Sequence, residues 1–118
     1  MISGIGIDVV ELDRIEVIIS EKQSFIKRVL TNKELEIFNK LSKRRQIEFL
    51  GGRFACKEAF SKAYGTGIGK VGFQDIEIIN DEYGKPIAIV NQHIFSGQVH
   101  VSITHTKDLA MAQIILEK

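Results

Sequence analysis

Apolar and polar positions change their spacing along this chain, and the changes mark out its elements. Ile5, Ile7 and Val9 alternate with Gly6 and Asp8, a period of two that predicts a short strand with Asp8 near its C-terminal end. From Glu11 to Ile19 the spacing is helical, with Leu12, Ile15 and Ile19 on one side and Asp13, Arg14 and Glu16 elsewhere. Ser24 to Leu30 reads as a second short helix. Thr31-Asn32-Lys33-Glu34 is a capping box that opens a third, through Leu35, Phe38 and Leu41. Ser42 is placed to cap a long fourth helix through Ile47 and Leu50 to Tyr64, with Gly65 as its stop. Gly51-Gly52 inside that helix costs about 1 kcal/mol per glycine relative to alanine, so a close crossing by another backbone is expected there.

After Gly72 the period returns to two. Phe73 to Asn80 reads as a strand, Asp81-Glu82-Tyr83-Gly84 as a turn and Pro86 to Val90 as the hairpin partner. In Val99 to His105, the residues Val99, Val101 and Ile103 are expected to face the core, with His100, Ser102 and Thr104 opposite. Leu109 to Leu116 forms the last strand. One strand, then helices, then mostly meander predicts an α+β fold: a mostly antiparallel sheet, one long central helix and short N-terminal helices. No repeat or linker interrupts the 118 residues, which read as one domain over 1–118.

Composition narrows the class. The chain is 44% hydrophobic and 26% charged, ordinary for a globular protein with a modest core that an oligomer would help. No apolar run approaches the ~20 residues of a membrane span, and the N-terminus lacks the basic and apolar regions of a signal peptide. Cys56 is the only cysteine, which excludes a disulfide framework and a cysteine metal site. A cytoplasmic protein without a membrane partner is expected.

Charge is unevenly spread. Residues 22–45 hold eight basic side chains against two acidic ones, a net +6, whereas residues 71–99 hold one against four, a net −3. An acidic partner would suit the first segment; a solvated helical surface would explain it equally.

Candidate chemistry starts with a decoy. Gly67-Ile68-Gly69-Lys70-Val71-Gly72 fits the dinucleotide-binding glycine pattern, but a helix precedes it and a strand follows, the reverse of what that motif requires. A P-loop also fails: Gly65 to Lys70 is one residue short, and Val71 stands where a hydroxyl must meet magnesium. Asp8 sits at a strand end beside Gly4 and Gly6, small enough to admit another backbone or a ligand. Glu58 lies on the polar side of the long helix. Two carboxylates suffice for magnesium, which keeps waters and takes phosphate oxygens, provided the fold brings the two together. The bland readings are a helix cap for Asp8 and an i,i+4 pair with Lys62 for Glu58. Lys57, Ser61 and Lys62 read as a polar strip one turn long, either solvated or facing a phosphate. Ser61 lacks the G-x-S-x-G setting of a nucleophile. His105 ends a strand next to a turn; His93 and His100 have no partner at metal-ligand spacing.

Four pieces in order carry a resemblance. They are Gly4-Ile5-Gly6-Ile7-Asp8 followed by Arg14; Arg53-Phe54-Ala55-x-Lys57-Glu58-Ala59-x-x-Lys62-Ala63-x-Gly65-Thr66-Gly67; Gly84-Lys85-Pro86; and Val101-Ser102-Ile103-Thr104-His105. Together they resemble the bacterial holo-acyl-carrier-protein synthases, which are phosphopantetheinyl transferases, over essentially the whole chain. Thr104 stands where the family usually has serine, and the hydroxyl is kept. The resemblance implies transfer of the 4′-phosphopantetheine arm of coenzyme A to a serine of acyl carrier protein, releasing adenosine 3′,5′-bisphosphate, in the service of fatty acid synthesis. It implies Asp8 and Glu58 as Mg²⁺ ligands, Lys62 as the cation at the transferred or leaving phosphate, and a homotrimer with sites between subunits. The general base stays open between Glu58 and a water on the metal. Implied coenzyme A contacts are Arg53, Ser61, Lys62, Gly65, Lys85, Pro86 and His105. Implied carrier contacts are Arg14, Ile18, Lys22, Phe25 and Arg28, with Lys27 beside them; Arg44 and Arg45 would serve either partner. Two rivals are a nucleic-acid-binding module on residues 22–45 and a coenzyme A binder without chemistry. The first has no RNA-binding motif and a pI near 7.9. The second gives no role to paired carboxylates.

Overall fold

Strand β1 (Ile2–Glu11) runs straight into helix α1 (Leu12–Glu21), followed by α2 (Gln23–Val29), α3 (Asn32–Asn39) and the 22-residue α4 (Lys43–Tyr64). Strands β2 (Ile76–Asn80), β3 (Pro86–Val90), β4 (Gln98–His105) and β5 (Leu109–Glu117) complete this computed structural model, which describes every residue from Met1 to Lys118. The capping box at α3 forms as expected: the Thr31 hydroxyl accepts from Glu34 N–H and the Glu34 carboxylate accepts from Thr31 N–H. Gly65 ends α4 at φ 100°, a left-handed conformation open to glycine. Ser42 precedes α4 as expected but makes no side-chain cap bond.

The fold is α+β, with the strands in two antiparallel sheets rather than one meander. β5 lies between β1 and β4, and β2 and β3 form a separate hairpin. The segment Phe73–Asp75, expected to begin a strand, is a 3-10 turn. The Asp75 carboxylate accepts from Gly72 N–H at 2.8 Å, and this local bond holds the backbone out of extended form until Ile76.

Small residues set where α4 lies. A Cβ on Gly4 would stand 2.1 Å from the Ala63 carbonyl oxygen, and one on Gly6 would stand 1.9 Å from that of Ala59. β1 therefore packs backbone to backbone on the alanine face of α4, two residues before Asp8. Gly51 and Gly52 also mark a close crossing, but side chains rather than a backbone fill it: Leu12 Cδ2 would lie 2.7 Å from a Cβ at Gly51 and Ile103 Cγ2 3.2 Å from one at Gly52. Val99, Val101 and Ile103 pack on the core as expected. Ile5, Ile7 and Val9 do not; they point away from α4 and are 62%, 53% and 52% exposed. Opposite Val9 stands the exposed Met111, and opposite Glu11 the exposed Leu109, so the outer face of the β1–β5 pair is an apolar strip.

Candidate active site

Alternation along β1 turns Asp8 to the same side as Gly4 and Gly6, toward α4. There Lys62 meets it. The ammonium donates to Asp8 Oδ1 at 2.9 Å and to the Ile7 carbonyl at 3.0 Å. Lys62 thus pairs with Asp8 across the β1–α4 contact, and neither bland reading holds. Asp8 caps no helix, since α1 has no side-chain cap, and Lys62 makes its ion pair off its own helix.

Glu58 lies one turn before Lys62, half-buried. Burial pushes its carboxyl above the usual glutamate value, and the nearby Asp8 pushes it further; Lys62 opposes both. Two carboxylates and one ammonium therefore share a half-buried pocket of charge at the junction of β1 and α4. Removing the Glu58 proton costs more than usual because burial and the Asp8 charge both oppose a second negative charge there. The donor set suits Mg²⁺, which takes one or two carboxylates and completes its shell with water and phosphate oxygens. No group of three or more His, Cys, Asp or Glu side chains comes together to cage a metal.

Lys57 and Ser61 leave the polar strip expected of them. Lys57 is 0% exposed and donates to Glu34 Oε1 and to the Val29 carbonyl, each at 2.6 Å. Glu34, equally buried, accepts from Ile78 N–H with its other oxygen at 2.7 Å. Ser61 is also buried, and its hydroxyl donates back to the Glu58 carbonyl at 2.7 Å, so it presents nothing outward to a phosphate. Past α4, Gly65, Gly67 and Gly69 take φ values of 100°, 73° and 145° with open space around each. Their backbone is accessible and of a shape that other residues resist.

The other expected contacts fall into two groups. Arg14, Ile18, Lys22 and Phe25 line one groove of about 360 Å³, and Glu58 stands in its wall. Arg28 is adjacent, its guanidinium 5.9 Å from the Phe25 ring centre. The groove also takes in Phe54 and Phe73, which the sequence reading passed over; Phe54 sits one turn before Glu58 on α4, a spacing that places it on that face. Arg53 and His105 line a different pocket of about 230 Å³, with Arg45, Glu48 and Asn80. Arg53 is stacked 3.9 Å over the Phe49 ring and donates to the Ile78 carbonyl at 3.3 Å; burial lowers its pKa, against the pull of Glu34. Pro86 opens β3 opposite Asn80, so the Gly84-Lys85-Pro86 turn lies at this second pocket's edge. Along α4, Arg53 precedes Glu58 by five residues, about 7.5 Å of rise and more than a third of a turn away round the helix, and the groove at Glu58 shares no lining residue with the Arg53–His105 pocket. One chain thus keeps its carboxylate centre and its Arg53–His105 pocket apart.

Known proteins resemble this chain over essentially its whole length. The model of the 4′-phosphopantetheinyl transferase superfamily matches residues 4–114. Holo-acyl-carrier-protein synthase of Enterococcus faecalis is 62% identical over 117 residues, covering 99% of this chain and 98% of that protein. The Geobacillus protein of the same name is 55% identical over 119 residues, covering 100% and 98%. Among solved structures, a holo-acyl-carrier-protein synthase from Bacillus anthracis in complex with coenzyme A (3′,5′-ADP) superposes with a TM-score of 0.93 at 50% identity, over 100% of this chain and 98% of that one. A Helicobacter pylori synthase in complex with coenzyme A gives 0.83 at 30% identity, over 96% and 99%. With its motifs, its fold and its paired carboxylates all pointing the same way, the chain belongs to the 4′-phosphopantetheinyl transferase superfamily, among the holo-acyl-carrier-protein synthases.

Proposed function

We propose that this enzyme transfers 4′-phosphopantetheine from coenzyme A to a serine of apo acyl carrier protein, with Asp8, Glu58 and Lys62 as its chemical centre, and so supplies holo carrier protein for fatty acid synthesis. The observation that carries the assignment of residues is the raised Glu58 carboxyl beside Asp8 and Lys62, at the mouth of a groove that is apolar with a basic rim. Phosphoryl transfer of this kind is catalysed mainly by positioning and by neutralising charge.

The serine oxygen of the carrier forms a bond to the β-phosphorus, and the bond from that phosphorus to the bridging oxygen breaks. Adenosine 3′,5′-bisphosphate leaves with the bridging oxygen, and the serine proton goes to a base. Glu58 is suited to take it, because burial and Asp8 raise its affinity for a proton. Lys62, held by Asp8 and the Ile7 carbonyl, stands ready to meet negative charge on the departing phosphate. Mg²⁺ held by Asp8 and Glu58 would neutralise pyrophosphate charge and orient the transferred phosphoryl group. The open backbone from Gly65 to Gly69 would take the nucleotide side, and the Arg53–His105 pocket, with Lys85 and Pro86 at its edge, would take the remaining phosphate and the adenine.

The carrier protein, acidic and small, would dock on Arg14, Ile18, Lys22, Phe25 and Arg28, where apolar anchors are ringed by cations. A homotrimer would cover the strip of Ile5, Ile7, Val9, Leu109 and Met111 and bring the Arg53–His105 pocket of one subunit to the carboxylates of the next. The 118 residues would act as one transferase domain.

Replacing Glu58 with alanine tests the centre. The expected result is a loss of transfer on the order of 10²–10⁴-fold with coenzyme A binding and assembly retained. A Glu58→Ala variant with undiminished transfer would remove this carboxylate from the chemistry.

A further inference from the structure

Helix α2 is only seven residues long and has no side-chain cap at its start, so little within its own sequence holds it. Its C-terminus is unusual in how it is satisfied. Leu30 N–H bonds back to the Ile26 carbonyl, which leaves the carbonyls of Lys27, Arg28 and Val29 without partners in the helix. No glycine follows to close the turn. Instead two side chains from distant parts of the chain reach in. The two N–H groups of the Gln74 amide are shared among the carbonyls of Lys27, Arg28 and Leu30, with Nε2 at 3.2, 3.1 and 2.9 Å. The buried Lys57 ammonium donates to the Val29 carbonyl at 2.6 Å. Every orphan carbonyl of α2 is thereby held by another element.

The origins of the two clamps matter. Lys57 is the neighbour of Glu58 on α4, and its charge is matched by Glu34, itself tied to the start of α3 and to Ile78 on β2. Gln74 belongs to the 3-10 turn that follows the glycine segment, next to Phe73 in the wall of the groove. α2 contributes Phe25 to the same groove, and Arg28 beside it. A buried lysine–glutamate pair is a weak source of net stability, because desolvation cancels much of the attraction. What such a pair gives is a fixed geometry, here between the helix that carries Phe25 and Arg28 and the helix that carries Glu58.

We infer that Gln74 and Lys57 are positioning residues: they clamp the C-terminal carbonyls of α2 so that the carrier-docking side chains of α2 stand in register with Glu58. This inference rests on the proposed docking of carrier protein at α2.

Gln74 is the residue to test, since it is exposed and its loss leaves no charge stranded. Gln74→Met keeps length and removes the donor; Gln74→Lys keeps a donor and adds a cation suited to a helix C-terminus. Steady-state transfer is measured with carrier protein and coenzyme A varied separately, at an ionic strength that screens the added charge. In Gln74→Met the KM for carrier protein should rise roughly tenfold, the scale of one or two lost hydrogen bonds, with the KM for coenzyme A unchanged. Gln74→Lys should restore the carrier KM. An unchanged carrier KM in Gln74→Met, or an equal rise for both substrates, overturns the inference. Arg28→Glu in the same assay separates the two ideas. If it raises the carrier KM while Gln74→Met does not, only the clamp fails. If neither variant moves it, the docking of carrier protein at α2 fails with it.

Discussion

Glu58 stands between a like charge and an opposite one, and its behaviour is the sum of both with burial. Burial and Asp8 raise its pKa, while Lys62 lowers it. Without a metal, Glu58 should therefore take up its proton at a pH above the ordinary glutamate pKa of about 4.3, and Mg²⁺ held there would move that point down. Asp8→Asn removes one of the two raising influences and frees Lys62 from its partner, and both changes act downward. Carboxyl NMR titration without divalent metal should therefore find Glu58 at a lower pKa in Asp8→Asn than in the parent; an equal or higher value would mean that the two carboxylates do not sense each other. The pairing itself was not legible in the sequence, because Asp8 and Lys62 are 54 positions apart and only the β1–α4 contact joins them. Lys57 was misread for the same reason. Lysines in a helix are ordinarily solvated, and nothing local announces that Glu34, 23 residues earlier, waits for this one in the core. Cys56, next to Lys57, is buried in the core: burial pushes its thiol up to about 12, which leaves it inert.

At the level of elements, local signals were legible and tertiary ones were not. The capping box at Thr31 and the glycine stop at Gly65 are short-range patterns, and both formed where the sequence put them. Phe73–Asp75 alternates like a strand, yet a single Asp75 side-chain bond turns it into a 3-10 turn. Nor could alternation reveal that β5 would slot between β1 and β4. The glycines of β1 were recognised as a place of close approach, and the approaching group proves to be the α4 backbone. A methyl group at Gly6 would meet the Ala59 carbonyl on one side and the Ala63 nitrogen, 2.8 Å away, on the other, with rigid backbone in both directions. Gly6→Ala should therefore lower stability by about 3 kcal/mol or more in denaturant unfolding and abolish transfer by moving Asp8 off α4. A stable, active Gly6→Ala variant would show that β1 and α4 can separate without harm to the site.

For the molecule as a whole, two features remain open in a single chain: the apolar strip on the outer face of β1 and β5, and the gap between the carboxylates and the Arg53–His105 pocket. The proposed homotrimer would account for both. Ile5→Glu places a charge in the strip, away from α4, so each subunit should stay folded by circular dichroism while light scattering reports monomers and transfer is lost. Monomers with full activity would show that one chain holds a complete site. No helix is long and apolar enough to cross a membrane, which agrees with the short apolar runs of the sequence. The fold class was within reach of the sequence because it rests on motifs and periodicity; which face of the β1–β5 pair is left uncovered was not, because periodicity alone does not say that.

The most direct test is the intact mass of an apo acyl carrier protein after incubation with this chain, coenzyme A and Mg²⁺, with and without EDTA. The account predicts a gain of one phosphopantetheine on the carrier that EDTA abolishes. No gain on any of a panel of carrier proteins, from a folded chain that binds coenzyme A, would contradict the transfer; a gain undiminished by EDTA would contradict the metal role given to Asp8 and Glu58.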